Sequence, residues 1–274
     1  MLRFPQAKIN LGLNVLARRA DGYHDIESVL VPIPLYDVLE VVLAPELGTN
    51  GLQYDRSGLP IPGDMETDLC YKAVRSLQRE NDLPGLRMHL HKVVPMGAGL
   101  GGGSSDGART LELVNTLCGL NLPPQQLADH ALELGSDCPF FLQAQVCIAR
   151  GRGERLTPVP IDLSGLWLIL ANPGVHVSTA EVYRNTGPTG NPWPIDSFLF
   201  RDRMLEWEKT LPNTMEPYVI GAYPEVDALK QRLQQAGAFY TAMSGSGSSV
   251  FGLFTEEPVM PELSPTTKAW RLRL

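Results

Sequence analysis

The chain has 274 residues, enough for one large domain or two modest ones that each bury an apolar core. With 43% hydrophobic and 19% charged residues, its composition lies near ordinary usage and suggests neither disorder nor a coiled coil. A formal net charge of -7 argues against a large nucleic-acid-binding surface but leaves room for an anionic ligand held by backbone N–H groups and a few cations.

The four cysteines, Cys70, Cys118, Cys138 and Cys147, show no C-x-x-C spacing and no histidine cluster, so reduced, mostly buried thiols are expected. Pro5 and Lys8 interrupt the stretch a signal peptide would need, and no apolar run reaches membrane-spanning length. The expectation is a cytoplasmic protein with no nucleic-acid or membrane partner.

Along the chain, Lys8–Leu16 alternates apolar and polar residues with the period of a half-buried strand, and Asp21-Gly22 marks a turn after it. Ile26–Pro34 and Tyr36–Leu43 have the same β-branched character, while Gly48–Gly63 reads as a loop or hairpin region. Asp68 is placed to cap a first helix in which Leu69, Ala73 and Leu77 recur at helical spacing. Leu86–Val94 alternates as a strand and runs into a glycine-rich loop of Pro95, Met96, Gly97, Ala98, Gly99, Leu100, Gly101, Gly102, Gly103, Ser104 and Ser105. A helix capped by Ser104 or Ser105 follows, with Leu111, Val114 and Leu117 as its stripe and Gly119 as its stop; a second begins at Pro124 and ends at Gly135. A strand near Val146–Ala149 and a turn at Gly151-Arg152-Gly153 lead to a domain junction around 153–165. Beyond it come a strand at Leu166–Leu170, a Pro-rich middle, a helix at Val226–Gln235, and a strand pair flanking Ser244–Ser249. Irregular alternation of strands and helices favours α+β over a doubly wound parallel sheet.

Gly97, Gly99 and Gly102 formally satisfy G-x-G-x-x-G, but the match lies far from the first βαβ unit and no acidic residue near position 122 could bind a ribose. A Walker loop fails because Gly103-Ser104 stands where lysine is required. A ligand-free linker is also unsatisfactory, since each glycine costs about 0.5–1 kcal/mol of ordering relative to alanine. A phosphate cradle explains the glycines: backbone N–H groups approach an anion, and the following helix adds its positive end.

The loop PMGAGLGGGSSDG resembles the phosphate loop of the GHMP kinases, a family named for galactokinase, homoserine kinase, mevalonate kinase and phosphomevalonate kinase. Its extra glycine, with Pro5–Leu11, Arg19–His24, Leu134–Phe141, Gly151–Glu154 and Ser244–Phe251, is similar to the branch acting on cytidine diphosphate methylerythritol. The resemblance spans nearly the whole chain; Asp68 stands where that branch often has asparagine and Gly107 where it often has alanine. It implies a two-domain α+β fold, ribosomal-protein-S5-like over residues 1–157 and ferredoxin-like over 158–274, with the active site in the cleft between them. It also implies ATP-dependent transfer to a small-molecule acceptor by a monomer or weak homodimer. A homoserine or mevalonate kinase, or a catalytically silent nucleotide-binding relative, are the alternatives.

By the same resemblance Asp137 is the catalytic base, and Lys8 orients it and neutralises charge developing on the transferred group. On its own, Asp137 is equally an aspartate in a helix-stop turn, and Lys8 a strand-edge lysine. Asn10 shares the strand face of Lys8 and can reach the same acceptor or the base. Tyr23 and His24 are suited to stacking on and reading cytosine, with Thr179 and Tyr183 as companions. No carboxylate cage marks a metal site, so the Mg²⁺ accompanying ATP is expected on phosphates, waters and Ser105.

Overall fold

In the computed structural model, which describes residues 1–143 and 145–274, burial follows the expected alternation at 86–92, whereas the stretch Lys8–Leu16, read as a half-buried strand, lies in a strand buried on both faces from Ala7 to Val15. A two-residue strand β1 (Leu2–Arg3) precedes the long strands β2 (Gln6–Arg18) and β3 (His24–Tyr36), followed by β4 (Val38–Leu43). The expected loop at 48–63 contains a further strand, β5 (Leu52–Gly58). Only Tyr54 of β5 is fully buried and the strand lies at a sheet edge, so its residues carry no apolar alternation to read.

Asp68 caps α1 (Leu69–Gln78) as expected, accepting the Cys70 N–H at 2.9 Å. In β6 (Leu86–Lys92) the residues Leu86, Met88, Leu90 and Lys92 point inward, with Arg87, His89 and His91 exposed. The helix after the glycine loop, α2 (Gly102–Leu117), begins two to three residues before the expected serine caps. Its N-cap is Gly101 in the left-handed conformation (φ 67°), with no side-chain cap, so Ser104 and Ser105 lie inside the first turn. α3 (Pro124–Leu134) agrees with expectation, and a short helix, α4 (Cys138–Gln143), follows the turn at Asp137.

Next come β7 (Cys147–Gly151) and β8 (Arg155–Pro158), the latter within the stretch read as a junction. Then come β9 (Trp167–Asn172), α5 (Thr179–Asn185), α6 (Trp207–Thr210), α7 (Glu216–Ala222), α8 (Pro224–Gln235), β10 (Tyr240–Met243), β11 (Val250–Phe254) and β12 (Lys268–Arg273). Among the described residues the secondary structure is α+β, in three four-stranded sheets ordered β1-β4-β6-β5, β2-β3-β7-β8 and β10-β11-β9-β12. Among the described residues no helix is long and apolar enough to cross a membrane.

Two compact units result. One holds Met1–Ala7, Leu35–Met96 and Gly101–Ala144; the other holds Lys8–Pro34, Gly97–Leu100 and Gln145–Leu274. They are interleaved in sequence. The cause is pairing: β2 and β3, early in the chain, share a sheet with β7 and β8. In the second unit, Leu13, Val15 and Ile26 from these strands join Ile169, Val226, Leu229, Val250 and Phe254 in one apolar core.

Within this unit β2 is anchored by a buried hydroxyl. Tyr240 Oη accepts the Gly12 N–H at 2.9 Å and donates to the Leu211 carbonyl at 2.8 Å. Removing that hydroxyl in Tyr240→Phe orphans a buried N–H, and the expected loss is about 1–3 kcal/mol in denaturant unfolding. An unchanged midpoint would show that β2 does not depend on this bridge.

Candidate active site

The second unit assembles its polar residues around one carbonyl. Lys8 and Asn10 lie two apart on β2 and so share a face. The Lys8 ammonium, 4% exposed as a residue, donates to Asn10 Oδ1 at 2.6 Å and to the Gly99 carbonyl at 2.9 Å. Ser244 Oγ donates to the same carbonyl at 2.9 Å. Asn10 Nδ2 donates to Ser28 Oγ, which donates onward to the Gly12 carbonyl. The Lys8 backbone N–H also binds the Leu100 carbonyl at 2.9 Å, so β2 holds the glycine segment through main chain and side chain together. The buried ammonium thus meets the requirement for partners that its strand position raised. Asn10 contacts Lys8 directly and, with both ends of its carboxamide engaged and 3% exposure, orients that lysine.

Gly99 allows this approach. Its φ is +77°, and a Cβ there would lie 1.8 Å from the Ser244 carbonyl oxygen. The Ser244 loop is fixed from below by Asn213, whose Nδ2 donates to the Met243 and Gly245 carbonyls at 2.9 and 2.8 Å. Sequence reasoning gave Asn213 no role, because the carbonyls it holds are 30 and 32 residues away; locally its Oδ1 accepts the Met215 N–H at 3.0 Å.

The expected nucleobase residues also gather in the second unit. His24 stacks on Tyr183 with ring centroids 4.8 Å apart, and the Arg152 guanidinium lies 4.6 Å from the centre of the exposed Tyr23 ring. Thr179, four residues before Tyr183 on α5, shares a hydrogen bond of 2.8 Å with Ser246. One loop therefore brings Ser244 to the Lys8 cluster and Ser246 to the aromatic group. Burial, then the nearby Arg18 charge, hold the His24 imidazole below its ordinary range, which favours the neutral ring.

In the first unit, the rest of the glycine loop rises into α2. Ser105 Oγ, in the first turn, is buried and has no hydrogen-bond partner among the described residues. Asp137 occupies the half-buried turn between α3 and α4, where the Cys138 N–H bonds the Gly135 carbonyl. The Ser104 side chain hydrogen-bonds the Cys138 thiol, which places the Asp137 turn beside the first turn of α2; burial pushes that thiol up to about 12. Pro95 and Met96 lead into the loop, and Met96 packs where a Gly103 Cβ would point, at 3.3 Å. A Cβ at Gly102 would meet Val94 and the Lys92 ammonium, both at 2.9 Å, so this glycine is required by what lies beneath the loop. Burial raises the Asp106 carboxyl to about 8, with Lys92 pulling it down and Asp37 pushing it up.

Comparison with known proteins supplies the class. The family described as GHMP kinases N terminal domain matches residues 68–145, and GHMP kinases C terminal matches 199–260. A 4-diphosphocytidyl-2-C-methyl-D-erythritol kinase of Parabacteroides distasonis is 42% identical, over 94% of this chain and 93% of its own. A crystal structure of 4-(cytidine 5'-diphospho)-2C-methyl-D-erythritol kinase superposes with a TM-score of 0.80 at 34% identity, covering 94% of this chain and 91% of that one. A homoserine kinase structure from Cytophaga hutchinsonii shares the fold alone, with a TM-score of 0.69 at 17% identity and coverage of 98% and 95%. The two-domain α+β fold and its glycine loop are therefore those of an ATP-dependent kinase of the GHMP class. Within that class, the chain belongs to the family of the 4-diphosphocytidyl-2-C-methyl-D-erythritol kinases.

Gly99→Ala is expected to displace the Ser244 loop, destabilise the fold by more than about 1 kcal/mol and weaken Mg-ATP binding about tenfold or more. Melting and calorimetry check this, and wild-type values in both would show that the close approach is dispensable.

Proposed function

We propose that Asp137 and Lys8 carry phosphoryl transfer from ATP to the 2-hydroxyl of 4-diphosphocytidyl-2-C-methyl-D-erythritol, a step of the non-mevalonate route to isoprenoid precursors. The observation that carries this reading is the buried Lys8 ammonium bonded to the Gly99 carbonyl, which fixes a cation to the glycine loop.

In this reading, backbone N–H groups of Gly97–Ser105 hold the β- and γ-phosphates, aided by the N-terminal end of α2. Pro95 and Met96 set the entry of the loop. Asp137 accepts the proton of the attacking hydroxyl, and Lys8 offsets charge developing on the transferred group. Asn10 acts through Lys8, holding its ammonium. Mg²⁺ would suit the site at Ser105, whose buried hydroxyl has no hydrogen-bond partner among the described residues, and would there offset phosphate charge.

Tyr23, His24, Tyr183 and Thr179 form the cytidine end of the acceptor site. Neutral imidazole offers one donor and one acceptor to a base edge, which suits cytosine. A homoserine or mevalonate acceptor would leave this aromatic group without work. We also take the protein to be a cytoplasmic monomer or weak homodimer, divided after residue 157 so that each matched family segment stays on one side.

Asp137→Asn keeps the turn and removes the proton acceptor, so kcat falls by about 10²–10⁴ while ATP affinity stays near wild type. Lys8→Ala gives a loss of the same kind. Near-normal turnover by purified Asp137→Asn would return this residue to a turn-forming role.

Methylerythritol phosphate without the cytidylyl group is expected to lose up to about 10⁴-fold in kcat/KM, because polar groups that read the base are left unpaired. The His24 contribution also has a pH signature. Its folded pKa lies below 6.5, so the neutral state persists above that value and is lost as pH falls through the lowered pKa. Acceptor KM therefore rises on acidification below 6.5, and His24→Asn flattens that rise. A truncated acceptor used as well as the full one would move the chain to another branch of the class.

A further inference from the structure

Lys92 ends β6 at an inward position, where Leu86, Met88 and Leu90 precede it in the alternation. It is 1% exposed, so it cannot serve as a solvent-facing phosphate cation. Its ammonium bonds Asp37 Oδ2 at 2.5 Å and Asp106 Oδ2 at 2.6 Å. Asp37, between β3 and β4, also accepts the N–H groups of Val93 and Val94 through Oδ1, at 2.5 and 2.8 Å. Asp106 lies in α2, just past the first turn.

These bonds join two places the backbone separates. Val93 and Val94 are the last residues before the glycine loop, and Asp106 follows its final serine. Directly above the ammonium, a Cβ at Gly102 would be 2.9 Å from Nζ, so the first residue of α2 rests on Lys92. A buried lysine between two carboxylates is an expensive arrangement; an apolar trio of similar volume would hold the fold as well or better. Its directional hydrogen bonds offer what apolar packing lacks, a fixed distance between the loop's two ends.

We propose that Lys92, bonded to Asp37 and Asp106, is a positioning residue that clamps the strand entering the glycine loop to the helix leaving it, and so sets nucleotide affinity without touching the nucleotide. The proposal rests on the glycine loop being the nucleotide's phosphate site.

Two neutral substitutions isolate the hydrogen bond from the charge. Asp106→Asn keeps an oxygen for Lys92, whereas Asp106→Leu removes it; both leave Lys92 paired with Asp37. Titration calorimetry with Mg-ATP is expected to show Kd raised about tenfold in Asp106→Leu, with most of the loss recovered in Asp106→Asn. In steady state, the KM for ATP follows Kd, while kcat at saturating ATP and the KM for the acceptor stay within about threefold. If Asp106→Leu does not fold, Lys92→Met/Asp106→Leu replaces the pair with apolar groups while Asp37 retains its two backbone donors, and the same rise in Kd is expected. Wild-type Kd in the folded Leu variants, or equal losses in Asp106→Leu and Asp106→Asn, would overturn the clamp alone. A wild-type protein that bound no ATP would overturn the nucleotide site and the clamp together.

Discussion

The carbonyl of Gly99 is the point on which the second unit converges. It accepts the Lys8 ammonium and the Ser244 hydroxyl, and so ties strand β2, the glycine segment and the Ser244 loop to one atom. A buried ammonium requires such partners, and only a glycine with positive φ lets the Ser244 backbone come this near. Much else in the unit serves that contact. Asn10 and Ser28 hold the lysine from the side, Tyr240 secures β2 at Gly12, and Asn213 braces the Ser244 loop.

The chain buries a second lysine. Lys8 bonds a main-chain carbonyl and a carboxamide among its partners. Lys92 bonds two carboxylates deep in the first unit, and the desolvation of all three groups opposes their mutual attraction. Asp68 illustrates the same economy of partners. This aspartate caps α1, receives the Tyr54 hydroxyl at 3.0 Å and faces Arg56 at 3.5 Å. A carboxylate is suited to that triple role because both of its oxygens accept.

The loop Ser244–Ser249 also gives the Lys8 cluster at one end and the aromatic group at the other a common support. Ser244 reaches the Lys8 cluster, and Ser246 reaches Thr179 on the helix that presents Tyr183 to His24. A displacement of this loop would be felt at both ends, which gives a physical reason for its tight bracing.

By itself the sequence determined the local elements with strong period, the glycine loop, the Asp68 cap and, through motifs spread along the chain, the family. Each depends on neighbours within a few residues or on spacing that survives in one dimension. Tertiary structure alone decided the rest. The strand β5 has one buried residue and owes its place to pairing with β6, so its composition reads as loop. The capping of α2 at Gly101 follows from a left-handed backbone that no serine preference reveals. The interleaving of the two units follows from β2 and β3 joining β7 and β8. Asn213, Asp37 and Asp106 acquired their roles from partners 14 to 57 residues away. Hydrogen-bond partnership over such separations is set by how the chain folds back on itself, and residue order carries no local record of it.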